Sequence, residues 1–312
     1  MTTVARARPR GKHPLARSLA DPAHDYVEAL GRFAELQAQD GPDVREACRS
    51  ALLAHGARME RAVVLIHGLS SCPRQFAQLA AILYERGCNV LVPRMPHNGS
   101  VQRDGAELRH LTAEKLCRFT DDVVDVARGL GERVIVAGLS GGGVVAGWAA
   151  QFRVDVDRTV LIAPGFGITP TLPALNMTAN RLFLALLRLL PNVMKQKVRP
   201  YNEGPQHAYS AFATKGLAAM VAQGLAVLRA ARRHRPGAKD IRVVLNESDN
   251  AVNNAVTREL VRRWRKRGAP RVDVFSFGRE HRLIHDIIDP EQTQQQTALV
   301  YPVLVRLLLD EA

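Results

Sequence analysis

Two hydrophobic periods alternate along most of this chain. Short runs rich in Val and Ile occur at "AVVLIHG" (62–68), "NVLVPR" (89–94), "RVIVAG" (133–138), "TVLIAP" (159–164), "IRVVLN" (241–246) and "RVDVFSF" (271–277). Most are apolar at successive positions, which suits strands covered on both faces, as in a parallel sheet. Between most of them lie stretches such as "RQFAQLAAILYERG" and "TAEKLCRFTDDVVDVARGLG", where apolar residues recur at helical spacing, and several of these stop at Gly. Strand and helix in alternation imply βαβ units with right-handed crossovers. The expected fold is therefore α/β, a mostly parallel, doubly wound sheet.

Two regions depart from the rhythm. Residues 1–25 are rich in Arg, Pro and Ala without periodicity and read as a flexible basic tail. Between 165 and 240 no clear strand appears, while "NRLFLALLRLLPNVM" and "GLAAMVAQGLAVLRAA" are helical in pattern. The expected organisation is a core of 26–164 and 241–312, interrupted by a helical cap over 165–240 whose apolar residues line a pocket or pack onto the core.

The net charge of +13 is concentrated in "ARARPRGKHPLAR", "RAARRHRPGAK" and "RRWRKRGAPR". Such charge suits nucleic acid or anionic lipid. No aromatic interleaving, zinc-finger spacing or helix-turn-helix pattern accompanies it, so no nucleic-acid partner is expected and the clusters read as solvated faces. The four cysteines, Cys48, Cys72, Cys88 and Cys117, form no CxxC pair and read as free, mostly buried thiols. No apolar run reaches spanning length and no secretory signal pattern opens the chain, so the expectation is a soluble cytoplasmic protein without a membrane span.

The chemistry concentrates at "RVIVAGLSGGGVVAG" (133–147), where a β-branched run ends at Ser140 among glycines. Gly138-Leu139-Ser140-Gly141-Gly142 fits G-x-S-x-G at a strand-to-helix junction, the context a nucleophile elbow needs. A serine on so sharp a turn is strained and exposed. The residues two before and two after it close on one another, which leaves room only for Gly138 and Gly142. The helix that follows aims its amides at the place where negative charge develops. In "VVLIHGLSSCP" a strand ends at His67-Gly68; the backbone N–H of Leu69 and that of Gly141 are the expected oxyanion donors, and His67 is expected to brace the loop.

A nucleophilic serine needs a base, and the base an orienting carboxylate. Asp249 follows the strand "IRVVLN", where such sheets place functional groups, with Glu247 and Asp286 as rivals. In "GREHRLIHDIIDP" His285 is the preferred base and His281 the alternative. No His/Cys/Asp cluster has metal-ligand spacing, so neither metal nor organic cofactor is expected.

The segments "VVLIHGLSSCPRQFAQLA", "GCNVLVPRMPHNG", "VIVAGLSGGG", "NESDNAV" and "HDIIDP" resemble the α/β-hydrolase superfamily, in particular its bacterial carboxylesterase and monoacylglycerol-lipase-like branch. The resemblance spans most of 60–165 and 240–310. It implies an α/β-hydrolase fold, Ser140 as nucleophile, Asp249 as acid, His285 or His281 as base, and Leu69 and Gly141 as oxyanion donors. It also implies a serine hydrolase that cleaves a small, apolar carboxylic ester through an acyl-enzyme, with thioester, lactone or amide hydrolysis, or ligand binding without catalysis, as alternatives. The family's loop after the second of these strands often reads R-x-P-G-H-G; here it is Arg94-Met95-Pro96-His97-Asn98-Gly99, with the histidine one place early.

Overall fold

The computed structural model describes residues 14–167, 195–197 and 204–310. In chain order these form α1 (Tyr26–Ala38), β1 (Ala51–Leu53), β2 (Met59–Ile66), α2 (Ala77–Glu85), β3 (Asn89–Val92), α3 (Ala113–Leu130), β4 (Gly131–Leu139), α4 (Gly141–Phe152), β5 (Arg158–Ile162), β6 (Lys195–Lys197), β7 (Ala211–Ala213), α5 (Thr214–Ala230), β8 (Asp240–Asn246), α6 (Asn254–Lys266), β9 (Val272–Phe277) and α7 (Thr297–Leu309). A seven-stranded sheet has the order β1-β3-β2-β4-β5-β8-β9. All its pairings are parallel except that of β1 with β3. All six apolar runs are strands of this sheet; β1, only three residues long, left no legible pattern.

Burial on both faces explains the unbroken apolar runs. Val64 and Ile66 of β2 pack with α3, α4, α5 and α6 on one side of the sheet, and Val63 and Leu65 pack with α2 and α7 on the other. Successive side chains of a strand point to opposite faces, so a strand sandwiched in this way must be apolar at every position. Gly138 lies in register with Ile66 of β2 and Leu161 of β5, which brings the carboxyl ends of these strands to one rim.

Three expectations are corrected. The basic tail does not run to residue 25. Leu15 is buried, and its carbonyl accepts from Trp148 Nε1 at 2.8 Å. Ser18 Oγ and the Leu19 N–H both donate to Asp121. Residues 14–25 thus lie along α3, held by polar contacts that carry no hydrophobic period, while residues 1–13 fall outside the described residues. The segment 165–240 is not all a cap over the core. "GLAAMVAQGLAVLRAA" forms α5, whose Leu217, Val221 and Leu225 belong to the core against α3 and α4. "NRLFLALLRLLPNVM" lies outside the described residues. What is described between them includes a two-stranded hairpin of β6 and β7.

The third correction concerns the thiols. Cys48 and Cys72 are joined in a disulfide, with Cα atoms 5.2 Å apart. Cys48 ends one short 3-10 turn, and Cys72 caps another across from it. Their separation of 24 residues carries no pairing signal. Cys88 and Cys117 are buried thiols outside any disulfide, as expected. The expectation of four free thiols therefore fails for Cys48 and Cys72. Among the described residues no helix is long and apolar enough to cross a membrane.

Candidate active site

Ser140 stands between β4 and α4 with φ 56° and ψ −110°. A non-glycine residue at positive φ is strained and needs its surroundings to hold it. Its N–H donates to Ile162 O at 2.9 Å, and its carbonyl accepts from Gly165 N–H at 3.0 Å. The glycines around it are each required by a different neighbour. A Cβ on Gly138 would run into the Gly142 backbone, with Gly142 Cα at 3.0 Å. One on Gly142 would meet the Ile66 carbonyl and His67 O, the latter at 2.6 Å, and one on Gly143 would meet Pro164 at 2.9 Å. Gly141 faces the other wall of the site, where a Cβ would lie 3.1 Å from Leu69 N and 3.2 Å from Met220 Sδ. The two expected oxyanion residues are therefore neighbours across the mouth of the turn.

Asp249 follows β8, and its Oδ2 lies 2.6 Å from His285 Nδ1. Its other oxygen accepts from the N–H groups of Ala251 and Val252 at 2.8 and 3.1 Å. The Asp249 side chain has no exposed surface, while 23% of the His285 side chain remains accessible. Burial lowers the imidazole pKa. The hydrogen bond and charge of Asp249, with the charge of Asp286, more than offset this, and the net shift is upward. A carboxylate on Nδ1 fixes the tautomer that leaves Nε2 as the acceptor.

The rivals are engaged elsewhere. His281 sits in a 3-10 turn after β9, its ring edge-on to Phe277 and its Nε2 3.5 Å from Glu280. Glu247 is paired with Arg258. Asp286 accepts from Gln75 Nε2 and Gln292 Nε2, both at 2.8 Å. His67 is a brace, as expected. Nε2 accepts from Met95 N–H at 3.0 Å, which puts the ring proton on Nδ1, 2.8 Å from Gly68 O. Its burial drives the pKa down to about 3, so it is a neutral strut.

Three amide side chains with no sequence signature support the site. Asn246 Nδ2 donates to Leu283 O and Ile284 O at 3.0 and 2.9 Å, tying the end of β8 to the segment that carries His285. Asn98 Nδ2 donates to Leu69 O at 2.7 Å and Ser71 O at 2.9 Å. His97 takes the positive φ of 66° at the place where the family's loop has glycine, and Asn98 stands where that loop has histidine. Gln75 Oε1 accepts from Gly68 N–H at 2.8 Å. A cavity of about 780 Å³, lined by residues such as Leu36, Arg94, His97 and Phe119, includes none of the expected catalytic residues. Among the described residues no group of three or more His, Cys, Asp or Glu is placed to hold a metal ion.

Solved structures with this architecture include one belonging to the metagenome-derived lipolytic pair LipS and LipT, at TM-score 0.63 and 15% identity over 86% of this chain and 100% of that one. A monoacylglycerol lipase of Paleococcus ferrophilus aligns at TM-score 0.61 and 18% identity over 84% and 98%. A soluble variant of the Saccharomyces cerevisiae monoglyceride lipase aligns at TM-score 0.62 and 12% identity over 84% and 91%. No curated protein matches the sequence. These likenesses establish the fold, and residues 63–291 match the alpha/beta hydrolase family. With a serine elbow, a paired Asp and His, and a sheet of this order behind them, the chain belongs to the alpha/beta hydrolase family.

Proposed function

We propose that the chain is a serine hydrolase that cleaves a carboxylic ester. The observation that carries this reading is the 2.6 Å contact of Asp249 with His285 Nδ1, on a fold that also sets Ser140 on a left-handed elbow. Ser140 Oγ attacks the acyl carbon as His285 Nε2 takes its proton. The oxyanion is received by the N–H groups of Leu69 and Gly141, each worth about 3 kcal/mol to the transition state. His285 then protonates the departing alcohol, leaving an acyl-enzyme. Water, deprotonated by the same imidazole, attacks the acyl carbon; the serine leaves with the proton and the acid is released.

An apolar acyl or alcohol part is favoured by the side chains around the elbow. Met220 Cε and Sδ lie 3.3 and 3.6 Å from where a Gly165 Cβ would be, and Leu69 Cβ lies 3.2 Å from the corresponding point on Gly141. The lipase and monoglyceride lipase folds point the same way. The test is labelling by a fluorophosphonate probe, with Ser140→Ala as control, followed by a panel of ester, thioester, lactone and amide substrates of graded acyl length. Labelling confined to wild type, with medium-chain esters turned over fastest, is expected. A folded wild type that the probe does not label overturns the serine mechanism. Faster turnover of thioesters, lactones or amides, or of short polar esters, overturns the substrate class.

A further inference from the structure

Gln75 is 2% exposed and stands at the end of a short 3-10 turn, its own N–H donating to Cys72 O at 3.0 Å. Its amide reaches in two directions. Oε1 accepts the Gly68 N–H at 2.8 Å, and Nε2 donates to Asp286 Oδ2 at 2.8 Å. A Cβ placed on Gly68 would be 3.8 Å from both terminal atoms of Gln75 and 3.8 Å from Ser140 Cβ. The amide therefore packs beside the stretch of backbone that faces the nucleophile.

The backbone polar groups of Gly68 and Leu69 are held at every position but one. Gly68 O meets His67 Nδ1, Leu69 O meets Asn98 Nδ2, and Gly68 N–H meets Gln75. The remaining donor in this stretch is Leu69 N–H, on the side of Gly141. At the far end of the amide, Asp286 is the residue next to His285. We infer that Gln75 is a positioning residue: its buried amide staples the Gly68–Leu69 loop to the segment that carries His285, fixing the oxyanion donor and the general base relative to one another. This inference rests on the serine-hydrolase reading.

The chemistry explains why an amide stands there. One end must accept from a backbone N–H and the other must donate to a carboxylate. Glutamine does both while neutral; an ionised glutamate keeps only the acceptor, and methionine keeps neither. A half-satisfied buried pair is costly, so the staple is all or none. The groups that bear on this corner are Asp249 and Asp286 on His285, and Asp289 on Asp286. Asp289 and Glu291 in turn flank His207 at 3.0 and 3.2 Å.

The experiment compares the full chain with Gln75→Met, Gln75→Glu, Asp286→Leu and the double variant Gln75→Met/Asp286→Leu. The readouts are kcat and KM on p-nitrophenyl butyrate, the inhibition constant of an aryl trifluoromethyl ketone, and amide exchange of the peptide covering residues 66–72. Displacement of an oxyanion donor by a fraction of an ångström predicts that Gln75→Met loses about 10- to 100-fold in kcat with KM within about twofold. The ketone, which binds as a tetrahedral adduct, should weaken by about the factor lost in kcat/KM. Exchange at residues 68–71 should quicken by at least about tenfold. Gln75→Glu, which keeps the Gly68 acceptor but sets a second carboxylate against Asp286, should lose at least as much as Gln75→Met. The double variant should be no worse than the poorer single one, because both cut the same staple.

Wild-type kcat and ketone affinity in Gln75→Met overturn the inference, whether exchange quickens or not, and so do additive losses in the double variant. If Gln75→Met does not fold, Gln75→Glu and Asp286→Leu decide in the same way. If the wild type neither hydrolyses esters nor takes up the fluorophosphonate, the serine-hydrolase reading fails. Amide exchange then still tests the staple by itself, and unchanged exchange in Gln75→Met overturns it.

Discussion

Asp249→Asn separates the three carboxylates that are candidates to orient the base, Asp249, Glu247 and Asp286. In the wild type Asp249 Oδ2 lies 2.6 Å from His285 Nδ1, while Oδ1 holds the Ala251 and Val252 N–H groups at 2.8 and 3.1 Å. An asparagine in this cradle keeps its carbonyl oxygen on those two backbone donors, which leaves the amide NH2 facing the imidazole. A donor opposite Nδ1 demands an unprotonated Nδ1, so the ring proton moves to Nε2, the atom that must accept the serine proton. Loss of the working tautomer is expected to lower kcat by about 10⁴, or about 5 kcal/mol of barrier. The pH profile should move as well. His285 titrates above its ordinary value because Asp249 and Asp286 outweigh burial. The base works only when neutral, so wild-type kcat/KM should fall as pH drops through a value above 6.5. Without the Asp249 charge burial weighs more, and the acidic limb should shift to lower pH. Initial rates on p-nitrophenyl butyrate between about pH 5 and 9 read both effects, with Glu247→Gln and Asp286→Asn measured in parallel. A loss of less than about tenfold in Asp249→Asn, or an equal loss in Glu247→Gln, would refute the assignment of the orienting carboxylate.

Other perturbations test the rest of the framework. His281→Ala should keep kcat within about threefold, since its ring faces Phe277 and not Asp249; a collapse of activity with the fold intact would return it to candidacy as base. Gly142→Ala drives a methyl into the Ile66 and His67 carbonyls and should cost at least about 10²-fold in kcat with about 1–3 kcal/mol of stability. Gly31→Ala in α1, which has nothing within 4 Å of the new methyl, should instead raise stability by about 0.5–1 kcal/mol, read as Tm. Thiol titration of the denatured, unreduced chain should find two reactive cysteines, Cys88 and Cys117, and opening the Cys48–Cys72 loop of 24 residues should lower stability by about 3 kcal/mol; four titrating thiols would remove the disulfide. Arg153→Met leaves the buried carboxylates of Asp121 and Asp125 without their guanidinium, which holds them at 3.0 and 2.6 Å. Denaturant unfolding should report a loss of about 3–5 kcal/mol.

Sequence alone determined the sheet and the elbow because both rest on constraints local to a few residues. A strand covered on two faces must be apolar at each position, so Ala62–Ile66 or Val134–Ala137 announce themselves without knowledge of their neighbours. The turn at Ser140 forbids side chains at Gly138 and Gly142, which makes five consecutive residues a structural statement. What the sequence left open was decided by contacts between residues far apart in the chain. His281 and His285 sit four residues apart in similar company, and only the packing of the loop after β8 against the later segment brings Asp249 to His285. Cys48 and Cys72 look like two more buried thiols until two short turns are set side by side. Gln75, Asn98 and Asn246 leave no periodic or motif signal, because an amide is chosen by the donors and acceptors that surround it after folding. Residues 14–25 and α5 were misplaced for related reasons. The first is held by polar contacts to α3, and the second has the helical period of a cap or a core helix alike. Local sterics and burial on two faces are written residue by residue; the partner of a polar group is written only in three dimensions.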